Sequence, residues 1–195
     1  MKKLVTLPLL GAAALTLAAC EQAATADGDA DTTAAAATDD PITEAEVETA
    51  QQAWGEGIVN IGRTYTDNGD YRAAAEQHIA TFYGYDGDGS VLFKPTLAAE
   101  DQFREDPDQA LSYFVGTEGT EDGGFAIAPY TSVRWENNGT IISESGDMAT
   151  AMGNYYFTGQ DGNETKVEYT FVYEKDDAGD LKIVGHHSSM PYSAT

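Results

Sequence analysis

Near its C-terminus the chain reads Leu181-Lys-Ile-Val-Gly-His-His-Ser-Ser-Met-Pro-Tyr192, a strand that runs into two imidazoles and two hydroxyls before Met190-Pro191 stops it. Two of the three histidines lie in this stretch. Imidazole is the side chain whose ordinary pKa sits near neutrality, so acid–base chemistry at physiological pH belongs here first. Side chains along a strand alternate, so His186 and Ser188 share one face while His187 and Ser189 share the other. Only one of these pairs can face a cavity. The alternative is a terminal strand whose polar residues bond a neighbouring loop.

The elements that would position this stretch fall into two groups. Thr43 and Glu46 form a capping box, followed by Val47, Ala50, Trp54, Ile58, Ile61 and Tyr65 at three- and four-residue spacing. That pattern predicts a helix over 43–67. Asp70 caps a second helix over 71–83, with Tyr71, Ala75, Ile79 and Phe82 inward and His78 beside the stripe as a packed or half-exposed residue rather than a ligand. Val91 to Phe93 reads as a short strand and Ala98 to Phe103 as a helical turn. Asp106-Pro107 opens a helix to Val115, with Pro107 where the missing N–H costs nothing and Tyr113 to one side of the apolar face. From Tyr130 onward the pattern is β: strands at 130–135, 140–143, 148–158, 166–173 and 180–189, with Glu136 to Gly139 as a turn. Helices first and an antiparallel meander after them predict an α+β fold, a cone-shaped barrel in which a curved sheet wraps N-terminal helices. Inward positions would converge on one cavity. The side chains with chemistry there are Thr96, Tyr113, Tyr155 or Tyr156, Thr170, His186 or His187, and Ser188 or Ser189. Asp86 and Asp88 lack the remaining ligands of a calcium loop.

The first residues read as a targeting signal. Lys2 and Lys3 precede an apolar run from Leu4 to Ala19, and Leu17-Ala-Ala-Cys20 reads as a lipobox. Residues 1–19 are then a lipoprotein signal peptide and Cys20 the lipidated N-terminus. Glu21, where an Asp would favour retention in the inner membrane, points to the periplasmic side of the outer membrane. Residues 20–41, rich in Ala, Thr, Asp and Gly, form a flexible tether. Residues 42–195 form one domain. Membrane attachment is expected only through the lipid. Cys20 is the sole cysteine, so no disulfide framework and no free catalytic thiol remain.

The formal net charge of −23 over 195 residues repels nucleic acid and anionic headgroups. An enzyme of anionic substrates with such a surface needs a locally neutral or positive pocket.

Five segments, taken in order, carry a resemblance. Phe93-Lys-Pro-Thr96, Ala110-Leu-Ser-Tyr-Phe-Val-Gly116, Ala151-Met-Gly-Asn-Tyr-Tyr-Phe157, Val167-Glu-Tyr-Thr-Phe171 and His186-His-Ser-Ser-Met-Pro191 resemble the iota-class carbonic anhydrases. These are relatives of the calcium/calmodulin-dependent kinase II association domain in the nuclear transport factor 2-like superfamily. The likeness runs from about Val47 to Tyr192. It implies reversible hydration of carbon dioxide to bicarbonate, the cone-shaped α+β barrel and a homodimer; the two chains are expected to pair sheet to sheet. Some members are described as metal-free and others with zinc or manganese. The metal-free pocket implied by the resemblance uses Thr96, Tyr113 and Ser188 as catalytic groups, with Ser189 in the last role if the register is off by one. His186, His187 and Ser189 would bind substrate, and a nearby His would take the proton.

The residues argue against a zinc cofactor. A catalytic zinc normally takes three protein ligands, and His186 and His187, adjacent on a strand, point to opposite faces. Gly185 stands where many relatives carry a further His. The competing function is a non-enzymatic small-molecule-binding or oligomerisation domain of the same fold. A third is an isomerase-like enzyme, which would need an inward carboxylate, with Glu168 the one candidate.

Overall fold

The computed structural model describes residues 40–85 and 91–194. Helix α1 spans Glu44–Thr66, and its capping box forms as expected: the Thr43 backbone N–H donates to Glu46 at 2.7 Å and the Glu46 N–H to the Thr43 hydroxyl at 3.2 Å. Its buried face is Val47, Gln51, Trp54, Ile58 and Ile61. Tyr65, expected on that stripe, is exposed. Helix α2 spans Tyr71–Phe82 with Asp70 bonded to the Ala73 N–H. Helix α3 spans Pro107–Val115 with Asp106 capping the Gln109 N–H.

The strands are β1 Leu92–Lys94, β2 Ser132–Ile142, β3 Met148–Thr158, β4 Glu164–Lys175 and β5 Leu181–Ser189. They form one sheet in the order β1-β5-β4-β3-β2. The chain is α+β, and three points differ from the sequence reading. The sheet is mixed, because β1 runs parallel to β5. Its ends, β1 and β2, are not paired with each other among the described residues, so it is not closed into a barrel. Glu136 to Gly139 is not a turn: β2 continues through it with a bulge between Asn137 and Gly139. Asn-Asn-Gly imitates a hairpin turn, but ten residues of β3, Ala149 to Thr158, pair along β2 on both sides of it. The bulge turns Asn137 toward Gln51 and Tyr169, which close a triangle of hydrogen bonds with it. Ala98 to Phe103 is not helical; it is a run of bends and irregular backbone whose N–H groups at Ala99, Glu100 and Asp101 bond the Glu121 carboxylate.

The helices lie on the face of the sheet that carries Ala151, Tyr155, Phe157, Val167, Tyr169 and Phe171, all buried. Trp54, 1% exposed, sits where the layers meet, with Trp135, Tyr155, Phe171 and His186 all within 6.0 Å between ring centroids. Strand β5 is paired on both sides over Gly185 to His187, and its last residues, Ser188 and Ser189, pair with β4 alone. The expected signal peptide and Cys20 lie outside the described residues, as do Asp86 and Asp88.

Candidate active site

The site is set by a bulge in β5. Val172 pairs with Gly185 and Tyr173 with Ile183, which leaves Val184 as an extra residue. Simple alternation from the buried Ile183 would carry His187 and Ser189 inward. The extra residue shifts the phase, and His186 and Ser188 are the buried pair, each 3% exposed. Gly185 makes the bulge possible: a Cβ there would come within 2.9 Å of the Val172 side chain.

Parallel pairing of β1 with β5 sets Phe93 opposite His186, and the chain leaving β1 then brings Thr96 alongside Ser188. The Thr96 hydroxyl bonds the Ser188 hydroxyl at 2.8 Å. Helix α3 delivers Tyr113, 6% exposed, which lines the same cavity as Leu97, the residue after Thr96. These three groups line one cavity of about 70 Å³ together with Trp54, Tyr155 and His186, and Leu97 and Met190 stand exposed beside it. Pockets for drug-sized ligands run to about 300–1,000 Å³, so this one suits a ligand of a few heavy atoms.

Of the alternatives that the sequence leaves open, Tyr155 is the inward one and Tyr156 the outward one, bonded to Glu136 under Arg134. Thr170 lies on the outer side of β4, between the buried Tyr169 and Phe171. His187 is exposed, and Ser189 bonds Glu168 on the outer face. The expected substrate contacts of His187 and Ser189 therefore have no place in this cavity, because the bulge turns both away. Glu168 is exposed, so the carboxylate an isomerase would need is absent from the pocket. His78 is packed against Trp54, Phe82 and Phe114, its ring nitrogens without hydrogen-bond partners; burial lowers its pKa to about 3.

Burial dominates the electrostatics of the site. It pushes the Tyr113 and Tyr155 phenols well up, while the hydroxyl of Ser188 beside Tyr155 acts in the opposite sense. It lowers His186 well below the usual imidazole range, with the neighbouring His187 adding to the effect. The pocket is thus neutral despite the acidic surface. Among the described residues no group of three or more His, Cys, Asp or Glu side chains is arranged to hold a metal ion.

Several supporting residues give no local signal in the sequence. Arg104 is 2% exposed. Its guanidinium bonds Asp101 and Asp122, each at 2.7 Å, and its backbone N–H bonds the Phe93 carbonyl. Asp122 also takes the Ser112 hydroxyl at 2.6 Å, next to Tyr113. The Glu121 carboxylate accepts from the N–H groups of Ala99, Glu100 and Asp101. This cluster fixes the loop after Thr96 onto α3. The N–H groups, first that of Glu100, hold the Glu121 carboxyl below its ordinary 4.5, with Arg104 adding a smaller pull. A lowered carboxyl contributes stability above its unfolded pKa and loses it as pH falls through the folded value. Melting curves of the wild type and Glu121→Gln should therefore differ above pH 4.5 and converge below it. Equal curves at neutral pH would contradict the role given to this carboxylate.

Residues 45–190 match the family described as metal-independent carbonic anhydrase. The chain is 46% identical over 156 residues to a curated metal-independent carbonic anhydrase of Nostoc sp. (strain PCC 7120), spanning 77% of this chain and 75% of the relative. A crystal structure of an iota-carbonic anhydrase from a cyanobacterium, complexed with bicarbonate, is similar at a TM-score of 0.75 and 43% identity, over 79% of this chain and 95% of that one. A calcium/calmodulin-dependent protein kinase II association domain structure from Xanthomonas campestris shares the fold at a TM-score of 0.50 and 23% identity, over 76% and 88% of the two chains.

Proposed function

The chain belongs to the metal-independent carbonic anhydrases, and from that premise we propose how its own side chains perform the reaction. The protein interconverts carbon dioxide and bicarbonate, and its family does so without a metal cofactor. The catalytic groups are Thr96, Tyr113 and Ser188. The observation that carries this reading is the 2.8 Å bond between the Thr96 and Ser188 hydroxyls in a cavity that Tyr113 also lines.

Making free hydroxide from water at pH 7 would cost roughly 12 kcal/mol, from a water pKa near 15.7. The proton must therefore leave water as the oxygen bonds to carbon. Ser188 orients the water. Its oxygen takes the Thr96 proton in one hydrogen bond and keeps a second lone pair for the water. For the transfer the two hydroxyls turn over: Ser188 accepts the water's proton while giving its own to the Thr96 oxygen, and Thr96 releases its proton toward solvent at the cavity mouth. One water and one carbon dioxide give one bicarbonate and one released proton. Tyr113, kept protonated by burial, donates to the substrate oxygen that gains negative charge. In the dehydration direction the same three groups hold bicarbonate.

Thr96→Val keeps the shape of the side chain and removes its hydroxyl. Hydration should fall at least about tenfold and bicarbonate binding, read by carbon-13 line broadening, should weaken. Unchanged binding and rate in this variant would remove Thr96 from the site.

Further parts of the reading concern assembly and location. Two chains pair through the outer face of the sheet, where Ile141, Met148 and Met152 stand 76%, 40% and 52% exposed. Sedimentation should return a dimer that Met152→Glu weakens, and a wild-type monomer at high concentration would refute it. The mature protein begins at a lipidated Cys20 and hangs on the tether 20–41 at the periplasmic side of the outer membrane. Support comes from the basic start, the apolar run and Leu17-Ala-Ala-Cys20. Intact mass of membrane-extracted protein should show the leader removed and acyl chains added. A retained leader or an unmodified Cys20 would overturn the anchor.

A further inference from the structure

A line of polar atoms runs through the aromatic core into the cavity. Trp54 Nε1 lies 3.2 Å from the Tyr83 hydroxyl, that hydroxyl 2.9 Å from His186 Nδ1, and His186 Nε2 3.5 Å from the Tyr155 hydroxyl. Trp54 and Tyr83 are each 1% exposed. The chemistry of the first member sets the direction of the line. An indole N–H only donates, so of the two partners of the Tyr83 oxygen, Nδ1 of His186 is the one that can accept the phenolic proton. An imidazole that accepts at Nδ1 carries its own proton at Nε2 when neutral. Burial keeps it neutral and keeps the Tyr83 phenol protonated. The ring plane is fixed as well, by Phe93 stacked at 4.5 Å and 16° and by the edge contact of Phe171 at 4.1 Å between centroids.

We propose that His186 is a locked hydrogen-bond donor to the cavity, its Nε2–H serving the Tyr155 oxygen and the substrate's oxygens, and that Trp54 and Tyr83 are positioning residues that hold this tautomer. The part played by substrate rests on the carbonic anhydrase reading. The lone pair a base would need points at Tyr83, away from the cavity. His186 therefore does not take the water's proton, and the proton-accepting role expected for a nearby histidine does not fall to it. The donor adds to Tyr113 in stabilising negative charge on the bicarbonate oxygens. It also leaves the Tyr155 hydroxyl free to give its own proton onward, because its oxygen is already an acceptor.

Nitrogen-15 NMR of the histidine-labelled chain tests the lock without reference to activity. His186 should show a protonated Nε2 and an unprotonated Nδ1 at neutral pH. Tyr83→Phe and Trp54→Phe should each admit the other tautomer. For Tyr83→Phe, kcat should fall about tenfold or more with KM changed less, as expected for a lost transition-state interaction. His186→Gln keeps an N–H donor and no basic nitrogen, so it should retain clearly more activity than His186→Leu, expected about a hundredfold down. An unprotonated Nε2 in the wild type overturns the lock even if hydration is strong. Rescue of His186→Leu by added imidazole, with His186→Gln no better than Leu, overturns the donor role. A protein with the predicted tautomer that does not hydrate carbon dioxide would overturn the catalytic reading and leave the lock standing.

Discussion

Ser188→Ala should lower carbon dioxide hydration by a factor of about a hundred to a thousand, the usual cost of removing one hydrogen bond that acts in the transition state. The serine is 3% exposed and its hydroxyl holds that of Thr96 at 2.8 Å. Its removal takes away the group that aligns water with carbon and the first step of the proton's exit. One oxygen is lost from a packed site, so β5 should persist, and circular dichroism of the variant should match the wild type. Ser189→Ala is the internal control. Its hydroxyl bonds Glu168 on the outer face, and hydration by that variant should stay within about threefold of the wild type, since the substitution lies outside the cavity. A silent Ser188→Ala beside a damaging Ser189→Ala would mean that the bulge in β5 is placed wrongly.

Tyr113→Phe should be comparably damaging, again about a hundred- to a thousandfold. The phenol is buried and remains protonated throughout the working range, so it acts as a donor, and phenylalanine fills the same volume without that donor. The loss should appear in kcat more than in KM, because the charge it meets develops mainly in the transition state. Tyr113 and Ser188 act on the two ends of one reacting complex. The double variant should lose less than the product of the two single losses. Independent, multiplying losses would show that the two groups do not share a transition state.

Much of the frame is legible in the sequence because it depends on local chemistry. The capping box at Thr43 and Glu46, the Asp70 and Asp106 caps, and the clean alternation of Met148 to Thr158 each name their own element. The parallel β1–β5 pair is not legible, since three residues at Leu92–Lys94 carry no direction. Neither bulge is. Asn137–Gly139 has the composition of a turn, and the Val184 bulge reverses what alternation from Ile183 would say about Ser188 and Ser189. The choice of Ser188 over Ser189 comes from the resemblance and not from the strand period. Trp54 shows in the sequence only as part of an apolar stripe, and Tyr83 only as the end of a helix. Their hydrogen bonds join residues 29 and 103 positions apart, beyond any local pattern. The ionic cluster around Arg104 is hidden for the same reason: in a chain with 33 acidic residues, nothing local marks Glu121 and Asp122 as special.

The central claim is that hydroxyl groups, without a metal, carry the reaction. It is tested most directly by carbon dioxide hydration after exhaustive treatment with a chelator, with metal content measured on the same sample. The account predicts undiminished activity at metal levels far below one per chain and a severe loss in Ser188→Ala treated identically. Activity that disappears with the metal and returns on adding zinc or manganese alone would contradict it.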